Sequence, residues 1–163
     1  MQVDDLHALA DHLSGTTPNV WMVAYDSGAT SALNAAARGK ADAIAGRVLI
    51  SPILEEPEPT SSVLIDGAKL TLASMPVLVI SHEWDSCSRP MVDRIKNAAA
   101  ALKVPNFQSI AIRGGNEQYS VSDPLEYQPN SCNRQAHHAL AGREAAVSGN
   151  VIDWINQQSA VAK

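Results

Sequence analysis

The segment Ala24-Tyr25-Asp26-Ser27-Gly28 has the spacing of a nucleophile exposed on a sharp turn between a strand and a helix. Such a turn favours small residues two positions before and two positions after the nucleophile. With Asp26 as the nucleophile, Ala24 and Gly28 satisfy this requirement. Centring the pattern on Ser27 instead puts the bulky Tyr25 at a small-residue position. Asp26 is therefore the first candidate nucleophile and Ser27 the second, although either also suits the cap of a following helix.

Two further residues, Asp85 and His138, complete a candidate nucleophile, acid and histidine set. A histidine acts as a base on a nucleophile or on water, and a carboxylate orients its ring and stabilises the protonated form. The alternative for Asp85 is a turn or cap ahead of the helix that follows it. The alternative for His138 is a solvated position in a polar loop, with His137 beside it.

Four apolar runs along the chain are predicted to be buried strands. They are Val20–Tyr25, Arg47–Ser51, Pro76–Ser81 and Phe107–Ile112. One helical pattern precedes the first run, and others follow the first, third and fourth runs, at residues 28–38, from Met91 to Leu102 and from about Ala139 to Gln157. A loop follows the second run. The alternation predicts an α/β fold, a three-layer α/β/α sandwich with about four parallel strands, in one domain spanning residues 1–163. In such sheets ligands bind outside the carboxyl ends of the strands, which is where the candidate residues fall.

Three segments of the chain resemble the α/β-hydrolase family. Residues 20–30 (VWMVAYDSGAT) resemble the nucleophile turn, with Asp26 where most members carry Ser. Residues 76–85 (PVLVISHEWD) resemble the strand that delivers the acid, at Asp85. Residues 137–144 (HHALAGRE) resemble the histidine segment of a bacterial subgroup and match its catalytic histidine to His138. The resemblance covers nearly all of this chain and corresponds to the C-terminal half of the family's fold, without its first strands.

The resemblance implies a hydrolase of small esters or related carbon electrophiles. His138 would be the base, Asp85 its orienting acid, and Asp26 or Ser27 the nucleophile. Aspartate nucleophiles occur in the haloalkane dehalogenase and epoxide hydrolase branches of this fold, where the carboxylate attacks carbon and forms an ester. The alternative is a non-catalytic binding or assembly module, because Asp replaces Ser and the family's early strands supply half of its oxyanion hole.

The same subgroup implies a role for the two cysteines of the chain. Some of its members carry one cysteine just after the acid and another in the loop before the histidine. Cys87 and Cys132 occupy those places, so the resemblance implies a disulfide between them. Two free thiols remain the alternative.

The composition and net charge of the chain argue against several classes of binding partner. The chain has 12 Lys and Arg against 17 Asp and Glu, a net charge of −5, which argues against nucleic acid as a partner. Its apolar runs are far shorter than the roughly 20 residues of a membrane-spanning helix. Gly114-Gly115 lacks the context of a dinucleotide site, and the histidines lack metal-ligand spacing, so we expect no cofactor and no metal.

The amino-terminal residues carry no leader pattern, which predicts a cytoplasmic location, although the implied disulfide indicates an oxidising compartment. The strand beginning at Val20 is expected to lie at an exposed sheet edge. Since such edges pair with other chains, we expect a homodimer, with a small molecule as the possible ligand.

Overall fold

The computed structural model describes residues 3–14, 20–38, 44–53, 75–104, 106–115 and 137–161. Its elements are α1 (Val3–Ser14), β1 (Val20–Tyr25), α2 (Ser27–Arg38), β2 (Ile44–Ile50), β3 (Val77–His82), α3 (Arg89–Leu102), β4 (Phe107–Ile112) and α4 (Glu144–Val161). The segment Glu55–Pro59, expected to be a surface loop, lies outside the described residues.

The four strands form one parallel sheet in the order β1-β2-β3-β4. Its register aligns Tyr25 with Ile50, and Ile50 in turn with Ile80. The two central strands consist largely of apolar residues without exposed surface, as expected for a sheet covered on both faces. The prediction of an α/β fold with four parallel strands is therefore confirmed.

One face of the sheet packs against α2 and α3. Helix α3 buries an apolar stripe at helical spacing, formed by Met91, Val92, Ile95, Ala98 and Ala99. These side chains and the small residues Ala29 and Ala32 of α2 cover Leu49, Val77 and Val79 of the sheet. Small side chains let α2 lie close to β1, which fixes the direction in which α2 leaves the strand.

The other face packs against α4. Val147 and Trp154 of this helix contact a cluster that includes Leu78 and Ile80. The rings of Trp154 and Trp21 meet edge to face, with centroids 5.4 Å apart. Gly46 leaves the space for the Trp21 ring, because a Cβ on this residue would overlap it. Helices therefore lie on both faces, as in the predicted three-layer sandwich.

The last helix begins later than its sequence pattern predicts, at Glu144 rather than near Ala139. Leu140 and Gly142 adopt left-handed backbone conformations, with φ of 55° and 73°, which a continuous α-helix does not allow. The residues before Glu144 form turns instead. This difference matters for the site, because His138 lies on the turns and not on the helix.

Within the described segments, no helix combines the length and apolar character needed to cross a membrane. The same segments contain no group of three or more His, Cys, Asp or Glu residues arranged to hold a metal ion.

Candidate functional site

The candidate residues meet at the carboxyl edge of the sheet. Asp26 follows the last residue of β1, and Asp85 lies three residues after the end of β3 at His82. Because β1 and β3 both run parallel to β2, these two ends open on the same side. The turns after β4 bring His138 to this edge, between the two carboxylates.

Asp26 occupies a tight turn between β1 and α2. Its φ of 56° lies in the left-handed region, which Asp tolerates better than most residues. Its backbone N–H donates to the Ile50 carbonyl at 3.0 Å, and its carbonyl accepts from the Ala29 N–H at 3.0 Å. These bonds tie the turn to β2 and to the first turn of α2, so the Asp26 side chain projects from a fixed backbone. It is 37% exposed.

Asp85 is buried and held by its own turn. Its Oδ1 accepts hydrogen bonds from the backbone N–H groups of Cys87 at 3.0 Å and Ser88 at 3.2 Å. Its Oδ2 accepts from the Ser88 hydroxyl at 2.6 Å. Three donors within the next three residues leave this carboxylate one orientation, with Oδ2 facing His138. Ser88 is a supporting residue whose role the sequence analysis missed, and its signal was the spacing Asp85-x-x-Ser88.

His138 connects the two carboxylates. Its Nδ1 lies 2.8 Å from Asp85 Oδ2, and its Nε2 lies 3.1 Å from Asp26 Oδ1. The His138 ring is buried, and its backbone carbonyl accepts a hydrogen bond from the Tyr25 hydroxyl at 3.2 Å. Since ionised carboxylates only accept hydrogen bonds, both contacts are satisfied together when the ring carries two protons. The arrangement is therefore an imidazolium between two anions, or a neutral ring bonded to one of them.

The electrostatics of the site favour the protonated ring. Burial lowers the pKa of His138, but the hydrogen bonds and charges of Asp85 and then Asp26 outweigh it and raise the pKa above the ordinary 6.5. Burial raises the pKa of Asp85, but the hydrogen bonds from His138 and Ser88 outweigh burial and lower the pKa below 3.8. Burial, followed by the charges of Asp26 and Asp85, raises the pKa of Tyr25. Asp85 is thus an anion at neutral pH, and the Tyr25 hydroxyl stays a neutral donor.

The turns after β4 present the histidine. The Leu140 N–H donates to the His137 carbonyl, and the Arg143 N–H donates to the Leu140 carbonyl. The Gly142 N–H donates to the Glu144 carboxylate at 3.0 Å, which links the turn to the start of α4. The left-handed residues Leu140 and Gly142 reverse the chain just after His138, so its ring faces the sheet edge while α4 packs on the sheet.

The structure thus brings together three of the four candidate residues, Asp26, Asp85 and His138. Ser27 begins α2, and both ring nitrogens of His138 are bonded to the two aspartates rather than to Ser27. This geometry places Asp26, rather than Ser27, against the His138 ring. Among the described residues no cysteine is a free thiol, so Cys87 is not free. Cys132 lies outside the described residues, and its pairing with Cys87 stays a prediction.

Comparison with known proteins supports the fold. No protein-family model matches the chain. No curated protein matches it either. Among solved structures, the chain is similar to a mutant capsule O-acetyltransferase of Neisseria meningitidis serogroup A in complex with CoA, with a TM-score of 0.52 and 13% sequence identity. The similarity covers 71% of this chain and 58% of that chain, so this chain spans less than two thirds of its neighbour.

Proposed function

We propose that the chain is an α/β-hydrolase-like enzyme in which Asp26 attacks a carbon electrophile, with His138 as the base and Asp85 as its orienting acid. The observation that carries the proposal is the Asp26–His138–Asp85 arrangement, with distances of 3.1 and 2.8 Å, at the edge where parallel sheets bind ligands. The left-handed turn that presents Asp26 supports the same assignment.

A carboxylate nucleophile needs no base, because it is already an anion. Oδ1 of Asp26 accepts the hydrogen bond from His138, which leaves Oδ2 to attack. In this step Oδ2 forms a bond to carbon, and the bond from carbon to the leaving group breaks with its electron pair departing on that group. The product is an ester of Asp26.

Hydrolysis of that ester uses His138. A neutral His138 takes a proton from water while the water oxygen bonds to the carboxyl carbon of Asp26, and Asp85 stabilises the imidazolium that forms. The ester C–O bond then breaks, and the departing alcohol takes the proton from His138. Asp26 is left as a carboxylic acid and ionises, which restores the resting site.

Small esters and acyl donors are the second substrate class. For an ester, attack by Asp26 would give a mixed anhydride, whereas His138 can activate water directly. The structural neighbour is an O-acetyltransferase in complex with CoA, so acetyl-CoA belongs in the substrate panel as well. That neighbour contributes only a choice of substrate, because at 13% identity the likeness concerns the fold.

A non-catalytic binding or assembly module is the second candidate function. The observation that favours it is the saturation of His138, whose two nitrogens are both bonded and whose pKa is raised by its partners. A protonated ring between two carboxylates is a stable structural link, and in that state it cannot accept a proton from water. The two candidates differ in one measurable property, which is turnover.

The deciding experiment is turnover of haloalkane, epoxide, p-nitrophenyl ester and acetyl-CoA substrates by the native chain and by D26N, H138Q and D85N. The matched control is Asp93→Asn, which removes an exposed carboxylate of α3 outside the site. We expect D26N to abolish turnover, D93N to retain it, and H138Q to accumulate the Asp26 ester as an added substrate mass on the intact protein. Turnover that is absent from every protein would favour the binding module, whereas equal turnover of D26N and the native chain would overturn the role of Asp26 as the nucleophile.

We further propose that the chain acts as a homodimer that pairs through β1. Among the described strands β1 lies at one edge of the sheet, and its Val23 and Tyr25 are exposed apolar side chains. An edge strand with unpaired backbone groups and apolar side chains favours association with a second copy.

A further inference from the structure

His82 lies beside the site without touching either catalytic carboxylate. It is the last residue of β3 and its ring is buried. Its Nε2 lies 3.0 Å from the Gly114 carbonyl oxygen, and its Nδ1 lies 3.1 Å from the backbone nitrogen of Trp84. Both ring nitrogens are therefore bonded to backbone groups whose roles as donor or acceptor are fixed.

These partners determine the protonation state of the ring. A carbonyl oxygen only accepts, so Nε2 of His82 must carry the proton that is donated to Gly114. The Trp84 N–H only donates, so Nδ1 must present its lone pair. A doubly protonated ring would set Nδ1–H against the Trp84 N–H and lose that hydrogen bond. The geometry therefore requires the neutral ring protonated on Nε2.

His82 contacts three segments that lie around the site. Trp84 directly precedes Asp85, and Gly114 lies two residues after the end of β4. The ring of His137, the neighbour of His138, stacks on the His82 ring with centroids 4.4 Å apart and planes 14° apart. Trp84 closes the cluster by placing its ring edge against His137 at 5.4 Å.

Gly114 fits this arrangement for a backbone reason. Its φ of 67° is left-handed, and a Cβ on this residue would overlap the guanidinium of Arg143. Another residue at this position would therefore strain the backbone that directs the Gly114 carbonyl toward His82.

We propose that His82 is a positioning residue that joins the acid turn, the end of β4 and the histidine turn, and thereby sets the contact between Asp85 and His138. It acts through the Trp84 N–H bond, which orients the turn of Asp85, and through the stack on His137, which supports the turn of His138. Only its effect on turnover rests on the proposed function; its effect on the Asp85–His138 hydrogen bond does not.

The first test is the protonation pattern of the histidine rings in the native protein, measured by long-range ¹H–¹⁵N correlation at neutral pH. We expect His82 to show a protonated Nε2 and an unprotonated Nδ1. We also expect a downfield proton on Nδ1 of His138, from its bond to Asp85. A His82 ring protonated on Nδ1, or on both nitrogens, would overturn the proposal without any variant being made.

The second test compares H82F, H82N and the control H12N, which replaces an exposed histidine of α1. Phenylalanine keeps a ring for the stack but removes both hydrogen bonds, whereas the asparagine oxygen can still accept from the Trp84 N–H. We expect the downfield His138 proton to be lost in H82F and retained in H82N and H12N. A folded H82F with this proton unchanged, or equal loss in H82N and H82F, would contradict a role through Trp84.

If the chain turns over one of the substrates above, we expect H82F to lower kcat by up to about 10²-fold with little change in KM, because misplacement of the reacting groups affects the chemical step. H82N should recover most of that loss. A chain without turnover would count against the proposed function alone, since the His138 proton still decides the role of His82.

Discussion

Asp26 carries two properties that a serine at the same position would not combine. Its backbone tolerates the left-handed φ of 56° that the turn imposes, and its side chain places a carboxylate oxygen 3.1 Å from Nε2 of His138. In the function that we propose, the charge makes Asp26 a nucleophile for carbon without a base. After the larger contribution of Asp85, it also helps to raise the pKa of His138. Under that proposal, Asp26 sets the class of chemistry and contributes to the resting protonation of His138.

Replacing Asp26 by asparagine should lower the pKa of His138. Asparagine keeps the size of the side chain and tolerates the same backbone conformation. It removes the Asp26 charge, which, after the larger effect of Asp85, helps to raise the His138 pKa. The measurement is an NMR titration of the His138 ring in the native protein, in D26N and in D93N. An unchanged His138 midpoint in D26N would contradict the contact at 3.1 Å.

Turnover should rise with pH through the pKa of His138. The hydrolysis step needs a neutral His138 ring, and the pKa of His138 lies above 6.5. We therefore expect kcat to increase as the pH rises through the pKa of His138. The measurement is kcat against pH for the native chain, with rate plotted beside the NMR midpoint of His138. A rate that falls as His138 loses its proton would instead assign the ring as an acid.

The free energy of unfolding should fall at acid pH because of Asp85 and at alkaline pH because of His138. The lowered pKa of Asp85 contributes stability above about 3.8, which is lost as the pH falls through the folded pKa. The raised pKa of His138 contributes stability below about 6.5, which is lost as the pH rises through its folded pKa. Both contributions are present between these values, so the free energy of unfolding from this pair should be highest there.

Urea unfolding across pH 3 to 9 measures this profile, with H138Q as the comparison. We expect the loss on the alkaline side to be absent from H138Q, because glutamine does not titrate. An identical alkaline loss in both proteins would assign it to another group.

At the scale of elements, the turn between β3 and α3 is the part of the site that forms from local sequence. Asp85 bonds to backbone and side-chain donors two and three residues ahead of it, which requires no long-range contact. The contact between this turn and the histidine turn is long-range, because Asp85 and His138 are 53 positions apart in the sequence. A disulfide from Cys87 would supply such a link.

Reduction of the predicted Cys87–Cys132 disulfide should destabilise the chain. Closing a loop of about 45 residues stabilises a protein by roughly 4 kcal/mol in the chain-entropy model. We expect dithiothreitol to lower the Tm of the native chain and to leave that of C87S unchanged, since C87S has no bond to reduce. Alkylation of both cysteines in the unreduced native chain, after unfolding, would contradict the pairing.

Strand β2 contains a buried arginine, Arg47, in an apolar part of the sheet. Arg47 has no exposed surface, and within the described part of the chain its guanidinium nitrogens have no hydrogen-bond partner. Burial lowers its pKa to about 10. A buried polar group without a partner costs about 1–3 kcal/mol, and more when it is charged.

Arg47→Met should therefore stabilise the chain by about 1–3 kcal/mol, because methionine fills similar space without the cost of desolvation. Urea unfolding of R47M and the native chain measures the difference, and R47K, which keeps a charge, is the matched control. A loss of stability in R47M would indicate that the guanidinium has a partner outside the described residues.

At the scale of the whole molecule, the described sheet ends at β1 on one side and β4 on the other. β1 exposes Val23 and Tyr25, and the Tyr25 hydroxyl bonds to the His138 carbonyl, so an interface at β1 would border the candidate site. Assembly through this edge would also shield the exposed apolar side chains of β1.

Val23→Lys should convert the proposed homodimer to a monomer, because a lysine at the pairing edge cannot be buried cheaply against a second copy. Sedimentation velocity of V23K, with Ala111→Lys on the opposite edge strand β4 as the control, measures the effect. We expect dimers of the native chain and A111K and monomers of V23K. A monomeric native chain at micromolar concentration would contradict the dimer.

The oxidation state of Cys87 and Cys132 in the cell reports on the compartment in which the protein resides. Disulfides persist in oxidising compartments and are rare in the cytoplasm. Quantitative pairing of Cys87 and Cys132 in chain trapped with a thiol-blocking reagent at cell lysis would therefore indicate an oxidising compartment. Reduced thiols under the same trapping would indicate the cytoplasm and contradict the predicted disulfide.

The sequence by itself determined the elements and the identity of the candidate residues. Continuous apolar runs and small-residue helices specify a covered parallel sheet, and β1 and β4 begin and end where those runs do. The small-residue spacing around Asp26 also selected it over Ser27, because that rule reflects local backbone sterics. These features depend on residues close together in the chain, so they can be read from a pattern.

The tertiary structure alone decided which groups touch. The contact of His138 with both Asp85 and Asp26 joins residues 53 and 112 positions apart, and the proton on Nε2 of His82 is donated to a carbonyl 32 positions away. The late start of α4 has the same origin, since the left-handed turns that face His138 toward the sheet override the helical pattern of residues 139–143. Contacts of this kind depend on how separate elements pack, which local periodicity does not encode.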